Sequence, residues 1–329
     1  MFVKKNVCQE QTLSWRENNW TVIRILCAVL IMFSHYNVHT FGLENVFKPM
    51  LFAGSSLCVF FVLSGFLVGQ SVLRNSRKTF VKKRILRLYP VYLCTLFFSI
   101  IAVFIFEESA EIFKCVSWLG GELFFKGKEL YGISNGVTWA IFVQIQVYLV
   151  AMFFYPLLCK VKKIEIWLAM LFALLMLNLL YTYINEFFCN IGFNSYSITF
   201  LPYAYFFFLG MFVFQFFDRI VPYLVKYCWL FLFVHLVWHL HLVSFPKIYL
   251  YTDPITVVTA AAAAIGFAYK KPYYPKVKDL SYDIFIWHMP VYTFINSYTP
   301  FSGWTKILIC LAMSFFFSYL THHFIERAA

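Results

Sequence analysis

The sequence predicts an all-α polytopic integral membrane protein of about ten transmembrane helices, with both termini cytoplasmic. Three observations carry this. Of 329 residues, 62% are hydrophobic and 13% charged, with a mean hydropathy of +0.73, whereas a soluble domain carries about 25% charged residues. The apolar residues fall in long runs, and about 20 of them cross a bilayer. The Lys and Arg behind the net charge of +12 sit in short clusters between those runs. In a membrane protein such clusters set topology, so the charge argues for no nucleic-acid partner. A soluble enzyme and a disordered chain are disfavoured by the same composition.

The runs place spans at 20–41, 50–73, 89–106, 137–159, 164–184, 200–217, 227–245, 254–270, 280–297 and 304–324. The first apolar stretch ends in Ser34-His35-Tyr36 rather than a small-residue cleavage site, so it reads as a retained span. Pro49, Pro90, Pro202, Pro254 and Pro300 fall near span starts, where a missing N–H costs least. Pro156 and Pro290 fall inside spans and are expected to kink them. In this arrangement 20 Lys and Arg lie on one side, including the cluster from Arg74 to Arg87 and that from Lys270 to Lys278, against six on the other. That asymmetry places both ends in the cytoplasm and the glutamate-bearing loop 107–136 outside. No internal repeat or linker divides the chain, so one membrane-embedded domain over 1–329, without an appended soluble domain, is expected. Of nine cysteines none forms a CxxC. Most sit in apolar runs as small hydrophobes, and a Cys115–Cys189 pair facing outside is the disfavoured alternative to free thiols.

Ionisable groups inside a bilayer are costly and mark function. Arg24 and His35 in the first span are eleven residues apart, just over three turns, so they share a face about 16 Å apart along the axis. The alternative is that Arg24 snorkels to lipid phosphates and His35 caps the helix. Arg84 and Arg87, three residues apart, project one way and suit a forked grip on phosphate, or they are a plain positive-inside cluster. Ser64-Gly65 in the second span allows close helix packing or leaves room for a ligand. Gln144 and Gln146 in the fourth span need partners, and either is placed to orient His35 or to bond a neighbouring helix. His235 and His239 share a helix face as metal ligands do, but no carboxylate partner is visible, and no metal site is expected. His288 follows Ser281-Tyr282-Asp283 on the ninth span, with Asp283 near the hydrated cytoplasmic end.

Together these segments resemble the membrane-bound acyltransferase family 3, the O-acyltransferases of bacterial surface sugars, over nearly the whole chain. Arg24 and His35 match the family's Arg-x10-His. Gly54 to Leu67 matches its glycine-to-SGF stretch, and Phe80 to Pro90 its basic RxxR segment closing in Tyr-Pro. Trp139 to Tyr148 matches its Trp-centred motif, and Phe208 to Met211 a recurring FxxG-type span. Leu280 to Pro290 matches the span holding a late histidine, and His322 to Arg327 the closing FIE motif. Gln144 stands where many members have Glu, and the expected final proline is absent.

The resemblance implies a co-substrate, acyl-CoA (acetyl-CoA foremost), no permanently bound cofactor, and a glycan or lipid-linked sugar acceptor at the bacterial inner membrane. Arg84, Arg87 and Lys83, with Ser64, would hold the donor. His35 would act as general base or transient acyl carrier, and Arg24 would bind donor or stabilise developing charge. Gln144, Trp139 and His288 would support them. The competing expectations are a lipid-linked glycan carrier and, because of Gln144, a catalytically lapsed paralogue.

Overall fold

The computed structural model describes residues 17–42, 52–123, 129–184, 199–243, 253–274 and 277–328. Within them the chain forms α1 (Trp20–Phe41), α2 (Ala53–Arg74), α3 (Arg77–Phe106), α4 (Ile112–Glu122), α5 (Thr138–Leu158) and α6 (Ile164–Ile184). A 3-10 turn, Leu201–Tyr203, leads into α7 (Ala204–Gln215), followed by α8 (Phe217–Lys226), α9 (Cys228–Val243), α10 (Pro254–Ala268), α11 (Ser281–Tyr298) and α12 (Gly303–Ala328). No strand occurs among the described residues. The architecture is all-α and multi-pass, because a helix satisfies its own backbone where no water can.

Each of the ten predicted spans coincides with a helix. Five helices are long and apolar enough to cross a membrane alone: α1, α2, α3, α5 and Gly303–Phe324 of α12. The pair Leu201–Gln215 and Phe217–Lys226, bent by 102°, makes a sixth if counted as one span. Shorter apolar helices occupy Ile164–Leu180, Cys228–His241 and Pro254–Ala268.

The structure departs from the sequence expectation in three places. Helix α3 starts at Arg77, well before the predicted span start at 89, with the Ser76 hydroxyl accepting from the Thr79 N–H at 3.3 Å. The basic cluster therefore rides on a helix rather than in a loop. Two helices, α4 and α8, lie where no span was expected. Helix α8 buries Phe217 and Val221 and exposes Asp218, Arg219 and Lys226, a two-sided pattern too short for a hydropathy scan to register. Pro290 sits within a continuous α11. The Ile286 carbonyl that its missing N–H releases accepts instead from Asn135 Nδ2 at 3.3 Å, which meets the backbone accounting that a buried proline upsets.

The tightest seam joins α2 to α7. A Cβ on Gly65 would lie 2.0 Å from the Phe207 carbonyl oxygen, and one on Gly210 would lie 1.9 Å from that of Val62. Only glycine permits this approach. Gly65 is thus a packing residue, whereas the neighbouring Ser64 faces a cavity. Helix α1 packs between α2 and α11, with α12 behind it, and α11 also contacts α3.

Candidate active site

Helices α1 and α11 run parallel, since Arg24 meets Asp279 at one end and His35 meets His288 further along. This pairing gathers the functional side chains at two stations.

The first station is cationic. Arg24 Nη1 donates a short hydrogen bond to Asp279 Oδ2, and Arg87 Nη2 donates to the same oxygen at 3.2 Å. Asp279 Oδ1 accepts from the Ser281 hydroxyl and from the Ser281 N–H at 3.3 Å. Burial pushes the Asp279 carboxyl up, but the Arg24 and Arg87 guanidiniums and Ser281 outweigh it and hold the group below the ordinary carboxylate value. Arg84 lies apart from this network. Its guanidinium stacks over Phe80 at 5.2 Å and Tyr148 at 5.1 Å, its buried Nε has no hydrogen-bond partner, and it makes no ion pair among the described residues. The fork expected of Arg84 and Arg87 is therefore divided between two environments.

A cavity of about 90 Å³ opens beside these cations, walled by α1, α2, α3, α5 and α11. Arg24, Arg84, Arg87, Ser64, Gln144 and Tyr148 line it, and Phe60 and Phe285 bound it. Those two rings stand 6.1 Å apart. Lys83 does not line it: its Nζ donates to Asn75 Oδ1 at 2.8 Å on the exposed turn between α2 and α3. Trp139 also lies outside the lining, stacked on Tyr203 at 5.4 Å, while the following Ala140 and Ile141 contribute to the wall.

The second station is a pair of imidazoles. His288 is fully buried, and its Nδ1 lies 2.7 Å from the Phe285 carbonyl oxygen. A carbonyl only accepts, so this nitrogen carries the hydrogen. In a neutral ring Nε2 is then an acceptor, and it lies 2.8 Å from His35 Nδ1. His35 must donate from Nδ1, which leaves the lone pair on its Nε2. The two rings stack with centroids 5.1 Å apart. Tyr36 fixes the backbone of the pair by donating to the His288 carbonyl at 3.0 Å, and it shares a 2.6 Å hydrogen bond with Ser314.

The glutamines do not orient His35. Gln144 Oε1 accepts from Ser64 at 3.3 Å, and Gln146 Oε1 accepts from the Phe200 N–H at 3.1 Å. Asp283 is buried rather than hydrated, accepting from Thr321 at 3.2 Å with His322 at 3.6 Å. His235 bonds Thr259 at 3.2 Å and His239 stacks on Phe52 at 4.4 Å. Among the described residues no group of three His, Cys, Asp or Glu could hold a metal. Cys115 is buried with a free thiol, and Cys189 lies outside the described residues.

Sequence reasoning passed over Asp279. The available signal was a single acid following four lysines, Lys270, Lys271, Lys276 and Lys278, immediately before a span.

The family model described as "Acyltransferase domain" matches residues 17–323. A curated relative, Nodulation protein 10 of Rhizobium leguminosarum bv. viciae, is 37% identical over 82 residues, covering 23% of this chain and 22% of that protein. The match thus spans under a quarter of either sequence. No solved structure matches.

Proposed function

Because this chain belongs to the acyltransferase-3 family of membrane proteins, we propose that it moves an acyl group, acetyl in the simplest case, from cytoplasmic acyl-CoA to a hydroxyl of a cell-surface or lipid-linked glycan at the bacterial inner membrane. The observation that carries this reading is the His35–His288 hydrogen bond, which leaves an unprotonated Nε2 on His35. In the proposed reaction Nε2 takes the acceptor's hydroxyl proton as the oxygen attacks the thioester carbon. The carbon–sulfur bond then breaks, and the departing thiolate recovers the proton from His35. The Nδ1–H tautomer held by His288 presents the Nε2 lone pair that a general base and a transient acyl carrier both need.

The donor's phosphates suit the guanidinium-lined cavity, where Arg84 makes no ion pair and Arg87 shares Asp279 with Arg24. Neither His35 nor His288 lines that cavity, and the Phe285 ring sits 5.9 Å from the His288 ring. Phe285 thus joins the cavity to the histidine pair along α11.

The test is acyl transfer in inside-out membrane vesicles given acyl-CoA labelled in its acyl group. Label is expected on the glycan, and ester is expected to be missing from the surface glycan of a deletion strain by mass spectrometry. Unlabelled glycan beside normal glycan export would refute the reading, and glycan movement independent of acyl-CoA would support a carrier instead. Orientation is tested separately: a reporter active only outside the cytoplasm should be silent after Ala329 and active near Lys126.

A further inference from the structure

A second cavity, about 200 Å³, lies on the flank of α3 and α5. Phe80, Ile85, Ile145, Leu149 and Met152 build it, and it shares Arg84, Leu88 and Tyr148 with the cavity beside Asp279. Along α3 it extends from Phe80 to Tyr89, about 13 Å at the helical rise. Its open side is exposed and apolar, with Ile85 and Leu149 49% and 48% exposed.

We infer that this groove seats one acyl chain of an anionic phospholipid whose phosphate rests on Arg84. Two features point to that chemistry together. Arg84 is the sole charged residue of an otherwise apolar and aromatic lining, and no carboxylate accompanies it. The helix end beside it carries further cations: Arg77 over the Phe153 ring at 5.3 Å, and exposed Lys78 and Lys82. A water-soluble phosphate would gain nothing from the apolar trough, and a zwitterionic lipid would gain little from the basic rim. A lipid with both a tail and a net negative headgroup uses both features. Because Arg84 belongs to both cavities, a lipid phosphate there also fixes the guanidinium that the proposed donor meets. That consequence rests on the acyltransfer reading; the binding itself does not.

The experiment is native mass spectrometry of the full chain in detergent with phosphatidylglycerol or phosphatidylcholine and no acyl donor, so its failure leaves the enzymatic reading untouched. The unaltered protein should retain phosphatidylglycerol with about a fivefold preference. Arg84→Gln should reduce the preference several-fold, and an undiminished preference would overturn the proposal. Leu149→Trp, which fills the trough, should lower phosphatidylglycerol retention several-fold, while Phe172→Trp at an exposed position of α6 should not. Equal retention of both lipids by the unaltered protein, or undiminished retention in Leu149→Trp, would overturn the proposal. A further measurement needs no variant: glycerol phosphate, a headgroup without tails, should fail to displace the bound lipid. Displacement at millimolar concentration would identify a soluble-anion site instead.

Discussion

The two ends of the α1–α11 contact solve opposite problems. At the Arg24 end, two guanidiniums share one oxygen of Asp279, and Arg84 stands apart over two aromatic rings. At the His35 end, two imidazoles pair with each other and a backbone carbonyl, and no carboxylate bonds either ring among the described residues. A carboxylate partner would favour a protonated imidazole. A neutral partner leaves the lone pair in place. The cationic end thus holds excess charge suited to an anion, while the imidazole end holds a pair whose hydrogen bonds leave one lone pair open.

Five substitutions at four positions bear on this contrast. His35→Ala removes the proposed base and should lower glycan esterification about 100- to 10,000-fold, with protein abundance unchanged by immunoblot. Full ester content at normal abundance would end the distinction between the ends. His288→Ala leaves the His35 Nδ1 donor unsatisfied and should cost about 10- to 100-fold in turnover. His288→Gln, whose carbonyl oxygen accepts the same proton, should recover part of it. A purely structural role would show no such ranking at equal thermal stability.

At the other end, Asp279→Asn should destabilise the protein by roughly 1–2 kcal/mol at neutral pH, a discount on a fully buried pair for its partial exposure. The folded-state value of Asp279 is depressed, so its contribution is present above the ordinary carboxylate value of about 3.9 and is lost as pH falls through the lower folded value. Thermal unfolding of the two proteins should therefore converge below pH 4. A gap that persists in acid would mean that the carboxylate is not the source. The smallest effect belongs to Gln144→Leu, which removes the bond to Ser64 and should cost about two- to tenfold in donor affinity with the pH profile of turnover unmoved. A moved profile would couple Gln144 to His35 after all.

The sequence exposed most of the fold because apolar runs of span length have few other uses. Helix α1 emerged with its bounds intact, and α3 did not. A hydropathy scan starts the span near Tyr89, whereas Ser76 caps a helix that begins at Arg77. The candidate site was legible where spacing on one helix carries information, as for Arg24 and His35. It was opaque where a contact joins residues 253 positions apart, as for His35 and His288. Asp279 was hidden because an acid just beyond a span looks hydrated until a buried arginine is found against it. The matched spacing of His235 and His239 shows the converse: one helix face presents both rings, but Thr259 and Phe52 take them up as packing.

The glycine seam between α2 and α7 has a mechanical consequence. With Gly65 and Gly210 each abutting the partner's backbone, the two helices cannot slide or rotate independently, and they behave as one rigid keel. Helix α2 supplies Phe60 and Ser64, among others, to the cavity wall, so that wall is tied to α7. Arg84, Arg87, Gln144 and Phe285, on α3, α5 and α11, stand outside the seam, and changes meant to widen the cavity are better made there. On the keel, even one added methyl at Gly65 would collide with the Phe207 carbonyl.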